Sequence, residues 1–172
     1  MDNYKKRLSI IKVFIFDVDG VLTNGDVYMI DNQMVRVFNS RDSYAIQYAV
    51  KNGYKVFVIT GGRNSAVKER LQDLGVTEVR MQASDKLTIY CELRQQYGFS
   101  DAQVLYMGDD IPDHQVMEVV GVAACPQDAA IEIKTLSHYQ SPYNGGRHCV
   151  RDVIEQTLRV QGNWFNENAH LW

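Results

Sequence analysis

The chain has 172 residues, of which 45% are hydrophobic and 23% are charged, and its formal net charge is −3 at pH 7. These values are typical of a globular protein, and they exclude a disordered or collagen-like chain. The slightly acidic balance argues against a nucleic-acid partner, which usually requires a Lys/Arg stripe, whereas a small anionic ligand needs only a few local cations.

Cysteine usage and hydropathy favour a cytoplasmic protein. Cys91, Cys125 and Cys149 are widely spaced and form no CxxC pair, so neither a zinc site nor a disulfide framework is predicted. Reduced thiols are typical of the cytoplasm. Because no apolar run approaches about 18 residues, no membrane partner is expected. The length favours one domain, residues 1–172.

Short apolar runs alternate with helical patterns along the chain. Strands are predicted over residues 13–16, 56–59, 78–81, 104–107, 121–124 and 138–139, and a β-hairpin over residues 27–38, around Asp31 and Asn32. Helices are predicted over residues 43–51, 64–75, 84–98, 126–133 and 150–158, within a C-terminal helix and tail at 145–172, with Asn64 and Ser84 as N-caps. Since the strands are too apolar to be half exposed, the fold class is α/β: a mostly parallel sheet with helices on both faces.

Acidic pairs follow two of the predicted strands. Asp17 and Asp19 come directly after the first strand, and Asp109 and Asp110 follow a later one, with Asp113 close behind. In an open parallel sheet, ligands bind beyond the carboxyl ends of the strands. Neighbouring carboxylates repel one another unless a cation or a proton lies between them, and Mg²⁺ prefers such oxygen ligands. Asp17, Asp19 and Asp109 are therefore predicted to form a Mg²⁺ site.

Anion-binding groups follow two further strands. Thr60, Gly61, Gly62 and Arg63 lie between a strand and a helix, where the hydroxyl, the backbone amides and the helix N-terminus form a natural anion site. Lys86 lies at the start of the next helix, where a cation opposes the helix dipole. Each feature alone also fits an ordinary turn or a surface lysine. Their succession at four strand ends favours a phosphate site.

This order of motifs resembles the haloacid dehalogenase (HAD) phosphatase superfamily. Its four motifs match Asp17-x-Asp19-Gly-Val-Leu-Thr, then Thr60-Gly61, then Lys86, then Gly108-Asp109-Asp110 with Asp113. Within the superfamily, segments 38–46, 106–110 and 145–152 resemble the 3-deoxy-D-manno-octulosonate 8-phosphate (KDO 8-phosphate) phosphatase family, and the match spans about residues 10–165. The resemblance implies a HAD-like Rossmannoid fold and a role in lipopolysaccharide synthesis of Gram-negative bacteria.

The resemblance also implies a role for each matched residue. Asp17 would be the nucleophile that forms an aspartyl phosphate, and Asp19 the acid/base that protonates the leaving sugar oxygen and then activates water. Asp17, the backbone carbonyl of Asp19 and Asp109 would hold Mg²⁺, with Asp110 and Asp113 in support. Thr60 and Lys86 would bind the transferring phosphoryl group. The implied substrate-binding residues are Asn39, Arg41, Asp42, Gly61, Arg63, Arg70 and Arg147.

The sequence leaves no room for a cap domain over the site. A hairpin and one helix fill the stretch between Asp17 and Thr60, and nothing can be inserted between Met81 and Lys86. The resemblance implies a homotetramer instead, in which the hairpins pack together and neighbouring subunits close each site. The apolar hairpin residues fit such packing, and the stretch 145–147 could reach a neighbour's substrate carboxylate.

Three alternatives to this hypothesis stay open. A signalling receiver domain also uses acids, a Thr and a Lys, but its acid pair would be adjacent after the first strand. A catalytically silent HAD-like oligomerisation module would not need the catalytic residues of all four motifs, which this chain retains. A phosphatase for the nine-carbon 2-keto-3-deoxynononate 9-phosphate would resemble Thr-Gly-Glu-Lys at the second motif, where this chain has Thr60-Gly61-Gly62-Arg63. The predicted partner is therefore a small phosphorylated sugar acid, with the eight-carbon compound favoured.

Overall fold

A parallel sheet organises the computed structural model, which describes residues 4–31 and 33–172. The strands are β1 (Val13–Phe16), β2 (Tyr28–Ile30), β3 (Gln33–Val35), β4 (Lys55–Ile59), β5 (Glu78–Arg80), β6 (Val104–Met107), β7 (Val122–Cys125) and β8 (Tyr139–Gln140). The helices are α1 (Tyr4–Leu8), α2 (Ser40–Lys51), α3 (Ser65–Asp73), α4 (Lys86–Tyr97), α5 (His114–Val119), α6 (Ile131–Leu136) and α7 (Cys149–Val160). Two short 3-10 helices lie at Asp101–Gln103 and Ile111–Asp113.

The strand order β5-β4-β1-β6-β7-β8 confirms the predicted α/β fold. Every neighbouring pair in this sheet is parallel. The chain leaves β1 in one direction to build β4 and β5 and then crosses to β6 on its other side. The strand order therefore reverses next to β1, and ligands of such sheets bind where it reverses.

Alternate residues of β1 supply both cores of the fold. Phe14 and Phe16 pack with α1, α2, α3 and α7 on one face. Val13 and Ile15 pack with α4, α5 and α6 on the other. All four side chains are buried, as expected of a strand with helices on both faces.

Local capping chemistry fixes the helix boundaries. The Asn64 side chain accepts a hydrogen bond from the Ala66 amide, which confirms the predicted cap of α3. At α4 the predicted cap Ser84 is wrong, because the Asp85 carboxylate accepts from the amides of Leu87 and Thr88. Gly98 ends α4 in the left-handed conformation, as expected. The short helix α1 was not predicted, since its Lys5-Lys6-Arg7 run carries no apolar periodicity.

The hairpin of β2 and β3 projects large apolar side chains outward. Tyr28 pairs with Val35 and Met29 with Met34 in an antiparallel ladder. Met29 and the nearby Val37 are 67% and 61% exposed. Asn32, half of the predicted turn, lies outside the described residues. No cap domain accompanies the hairpin within the described ranges, and no helix there combines the length and apolar character that crossing a membrane requires.

Candidate active site

The carboxyl ends of β1, β4 and β6 bring the predicted motifs together at one edge of the sheet. Phe16 is in register with Val58 on one side and with Met107 on the other. The segments that begin at Asp17, Thr60 and Gly108 therefore leave the sheet side by side. Lys86 enters from the N-terminus of α4, which follows β5.

The loop after β1 folds tightly over Asp109. Asp17 Oδ1 accepts a hydrogen bond of 2.7 Å from the Val18 amide. Gly20 has a φ of +83°, and a Cβ at this position would stand 1.9 Å from Asp109 Oδ2. A glycine is required here both for its backbone conformation and for the close approach of the two acidic segments.

Lys86 is the cation at the centre of the site. Its Nζ lies 3.1 Å from Asp17 Oδ1 and 2.7 Å from Asp113 Oδ1. Burial alone would lower the pKa of Lys86, but the two carboxylates outweigh this effect and raise it. Asp113 is held in turn by the Tyr106 hydroxyl at 2.5 Å and by the Asp109 amide at 3.2 Å. Lys86 is therefore kept charged and fixed beside the predicted nucleophile.

Asp17, Asp109 and Asp113 form a cluster of carboxylates. One oxygen from each lies within 4.8 Å of the others. Burial, followed by repulsion from Asp113, raises the pKa of Asp17 to about 7. Burial, followed by repulsion from Asp17 and Asp113, raises the pKa of Asp109 to about 7. Such mutual repulsion is relieved by a cation.

The donor set of this cluster fits a hard divalent cation. The hydrogen bonds of the described residues engage Asp17 through Oδ1 and Asp109 through its amide, not through Asp17 Oδ2 or the Asp109 carboxylate. All candidate ligands are oxygens, which suits Mg²⁺ better than a softer metal. The Asp19 side chain is not part of the cluster, so only its backbone carbonyl is compatible with the predicted metal set. That ligand stays a prediction.

Thr60 lies at the end of β4 and is buried. Its hydroxyl accepts a hydrogen bond of 3.1 Å from the Gly62 amide, which leaves the hydroxyl proton free to be donated to a ligand. Gly61 is exposed beside it. The Thr60–Gly62 segment thus presents polar groups at the same sheet edge as Asp17.

The side chain of Asp19 makes an ion pair that the sequence did not predict. Arg36, just beyond β3, contacts Asp19 through Nε–Oδ1 at 2.6 Å and Nη2–Oδ2 at 3.0 Å. A basic residue leaving a hairpin is a weak sequence signal, because the pairing depends on how the hairpin folds back over the loop after β1.

A cavity of about 1190 Å³ opens between the hairpin and the start of α3. Its described lining includes Arg36, Arg63 and Arg70 and contains no Asp or Glu. It adjoins Thr60 through Gly61, and Asp19 through Arg36. The predicted substrate residues Gly61, Arg63 and Arg70 are therefore brought together in a cationic cavity next to the acidic cluster.

Other predicted substrate residues are engaged elsewhere. The Asn39 side chain caps α2 by accepting from the amides of Arg41 and Asp42. Arg41 lines a separate cavity with Arg151 and Arg159. Arg147 is exposed in the 145–147 stretch, which packs on its own chain through the Gly146 amide and the Val21 carbonyl at 2.8 Å.

Asp42, also predicted to bind the substrate, makes its described contacts within the fold. Its side chain is buried and accepts hydrogen bonds from the amides of His148 and Arg151 at 3.1 and 2.8 Å. Burial raises its pKa, while the two amides oppose the rise. Asp42 thus links α2 to the N-terminus of α7, and each of its carboxylate oxygens accepts a backbone hydrogen bond there.

Comparison with known proteins places the chain among sugar phosphatases. No protein-family model matches the sequence. The chain is 36% identical over 153 residues to the 3-deoxy-D-manno-octulosonate 8-phosphate phosphatase KdsC of Escherichia coli K12, covering 88% of this chain and 81% of the relative.

Solved structures show the same similarity. The 3-deoxy-D-manno-octulosonate 8-phosphate phosphatase of Yersinia pestis superposes with a TM-score of 0.91 at 35% identity, covering 94% of this chain and 88% of that one. The Moraxella catarrhalis enzyme, in complex with a magnesium ion, a phosphate ion and a KDO molecule, gives a TM-score of 0.92 at 27% identity, with 95% of both chains covered. The chain belongs to the 3-deoxy-D-manno-octulosonate 8-phosphate phosphatase family of the HAD superfamily.

Proposed function

We propose that this protein hydrolyses KDO 8-phosphate to KDO and inorganic phosphate through a phosphorylated Asp17. The observation that carries the proposal is the cavity with three arginines and no carboxylate in its described lining, next to the Asp17–Lys86 pair. A phosphorylated sugar acid carries negative charge at two ends. Guanidinium groups recognise both phosphate and carboxylate in a bidentate manner.

In the first step, a carboxylate oxygen of Asp17 attacks the phosphorus. The bond from phosphorus to the C8 oxygen of the sugar breaks, its electron pair stays on that oxygen, and Asp19 gives the oxygen a proton. Lys86 and the Thr60 hydroxyl bind the transferring phosphoryl group, whose charge is spread over its oxygens. KDO leaves, and Asp17 carries the phosphoryl group.

In the second step, a water molecule attacks the same phosphorus. Asp19, now ionised, takes a proton from the water. The bond from phosphorus to the Asp17 oxygen breaks, which regenerates the Asp17 carboxylate and releases inorganic phosphate. Asp19 thus recovers the proton that it gave to the sugar oxygen in the first step, which closes the cycle.

Asp17 and Asp109 would hold Mg²⁺, with Asp113 and the Asp19 backbone carbonyl completing or supporting the set. When bound, Mg²⁺ neutralises the charge of the acidic cluster and of the phosphoryl oxygens. The magnesium in the Moraxella catarrhalis structure supports this choice. Asp113 already accepts from Lys86, Tyr106 and the Asp109 amide, so we assign it mainly to anchoring Lys86.

Neighbouring subunits would close the open face of the site. The exposed apolar side chains of the hairpin, such as Met29 and Val37, support a homotetramer in which hairpins pack together. We also propose a cytoplasmic location and a chain that works as one domain. Gel filtration with light scattering tests the oligomeric state: a tetramer supports this proposal, and a monomer contradicts it.

The function is tested by phosphate release from KDO 8-phosphate and from the nine-carbon analogue, with Mg²⁺ and with EDTA. We expect Mg²⁺-dependent turnover that strongly prefers the eight-carbon sugar and is abolished by Asp17→Asn. Asp73→Asn, which removes an exposed carboxylate at the end of α3, is the matched control and should keep wild-type activity. Preference for the nine-carbon sugar would contradict the substrate, and no turnover of any phosphate would favour the silent module.

A further inference from the structure

Arg36 forms an ion pair with Asp19 at the edge of the site. The two residues meet in a two-point contact of 2.6 and 3.0 Å that uses both carboxylate oxygens. The Arg36 side chain is only 8% exposed, whereas that of Asp19 is 35% exposed. A planar guanidinium that grips both oxygens fixes the plane of a carboxylate, which a lysine ammonium does not do.

The hairpin delivers Arg36 to this position. Arg36 follows β3, and the Asn64 side chain, at the start of α3, donates a hydrogen bond to the Met34 carbonyl. A Cβ on Gly62 would stand 3.8 Å from Arg36 Nη2 and 3.3 Å from Thr60 Oγ1. The guanidinium therefore lies between the loop after β1 and the Thr60 segment, beside a residue without a side chain.

We propose that Arg36 is a positioning residue for Asp19: it holds the carboxylate in the orientation from which Asp19 exchanges a proton with the leaving oxygen and with water. This inference rests on the proposed function. A general acid works only within hydrogen-bond reach of the atom that it protonates. Among the described residues, the half-buried Asp19 side chain accepts one other, longer hydrogen bond, from the Thr23 hydroxyl at 3.4 Å. Because Arg36 is carried by the hairpin, the acid/base of the site is coupled to the position of that hairpin.

Three substrates separate this role from simple anion binding. KDO 8-phosphate has a leaving alkoxide that needs a proton and a carboxylate that an arginine can bind. Ribose 5-phosphate also has a leaving alkoxide but no carboxylate. 4-Nitrophenyl phosphate has a leaving group that departs without a proton. The value of kcat/KM reports the steps up to formation of the phosphorylated enzyme, so it is sensitive to leaving-group protonation.

We expect Arg36→Met to lower kcat/KM about 100-fold for both sugar phosphates, the low end of what a general acid contributes, and to change it little for 4-nitrophenyl phosphate. Arg36→Lys should give a smaller loss with the same dependence on the leaving group. In an Asp19→Asn background, Arg36→Met should cause almost no further loss, because its partner has already been removed. Arg63 lines the same cavity but does not contact Asp19. Arg63→Met should therefore lower kcat/KM for KDO 8-phosphate alone.

Two patterns overturn the inference while leaving the function intact. A loss confined to KDO 8-phosphate would make Arg36 a carboxylate-binding residue. Equal losses on all three substrates would make it a phosphate-binding or purely structural residue. If Arg36→Met does not fold, as judged by thermal unfolding, the comparison passes to Arg36→Lys, which preserves the charge. If the wild-type enzyme hydrolyses none of the substrates, the proposed function fails and this inference fails with it.

Discussion

Lys86 and Asp113 form a buried ion pair, with Nζ 2.7 Å from Oδ1 and side chains that are 5% and 1% exposed. The Tyr106 hydroxyl donates to the same Asp113 oxygen. The pair fixes the ammonium at the place where it also reaches Asp17. A surface lysine would lose this geometry to side-chain motion, so the buried carboxylate converts a flexible side chain into a fixed charge.

Lys86→Met should inactivate the protein and destabilise it. Without the ammonium, Asp17 and Asp113 are left close together in a buried setting, and breaking a buried pair typically costs about 3–5 kcal/mol of unfolding free energy. We expect kcat to fall by at least about 100-fold, consistent with the loss of a charge preorganised at the phosphoryl group. Phosphate release and urea unfolding measure the two effects. Lys68→Met, on the exposed face of α3, should change neither, and near-normal activity of Lys86→Met would contradict the role given to Lys86.

Gly20→Ala should abolish activity through Asp109. The substitution adds backbone strain of roughly 1–2 kcal/mol for a left-handed residue, and its Cβ would stand 1.9 Å from the Asp109 carboxylate. Gly53→Ala is a matched control, because Gly53 has a φ of +85° with no atom within 4 Å of the added Cβ. Both variants should unfold at lower urea concentration, while only Gly20→Ala should lose turnover. Equal activity in the two variants would show that the loop tolerates a displaced Asp109.

The core of the fold and the convergence of the acidic motifs could be predicted from the sequence. Uninterrupted short apolar runs such as Val13–Phe16, bounded by turn residues, are typical of strands covered on both faces, and the carboxyl ends of parallel strands lie at a common edge. The predicted ends of strands and helices differ from the observed ones where helix and strand propensities are weak. The last strand lies at Tyr139–Gln140, one residue later than predicted, and α6 occupies Ile131–Leu136 rather than 126–133.

Contacts between distant segments could not be predicted in the same way. Arg36 reaches Asp19 only because the hairpin folds back over the loop after β1. Asp42 accepts hydrogen bonds from backbone amides at the start of α7 only because α2 packs against that helix. A charged residue in a recognised motif has the same sequence signature whether it contacts a ligand or caps a helix, so the structure is needed to tell the two apart.

Asp42→Asn should therefore lower stability rather than substrate affinity. The substituted side chain would keep a single acceptor oxygen for two amides, and a buried donor left without its partner costs about 1–3 kcal/mol. We expect the urea midpoint to fall while the KM for KDO 8-phosphate stays within about twofold of wild type, because a residue whose side chain serves the fold contributes no binding energy to the substrate. A large rise in KM at unchanged stability would instead support the predicted role of Asp42 in substrate binding.

The raised pKa values of Asp17 and Asp109 predict that the stabilisation of the protein by Mg²⁺ depends on pH. Burial and mutual repulsion raise both pKa values to about 7, against about 3.9 for an unfolded aspartate. Between these values the folded, metal-free protein binds more protons than the unfolded chain. The destabilisation from these two groups is therefore absent below about pH 4 and complete above about pH 7.

Mg²⁺ requires both carboxylates ionised, so its binding should release protons and strengthen as the pH rises to about 7. Thermal unfolding with EDTA and with excess Mg²⁺, at pH 5.5 and pH 8, measures this coupling. We expect the rise in Tm caused by Mg²⁺ to be larger at pH 8. At a fixed Mg²⁺ concentration, the stabilisation grows with the logarithm of the ratio of that concentration to the Kd, and the Kd should be lower at pH 8. Asp109→Asn should remove most of that rise at both pH values. A shift of the wild-type Tm that does not depend on pH would show that Mg²⁺ binds without displacing protons from these two aspartates.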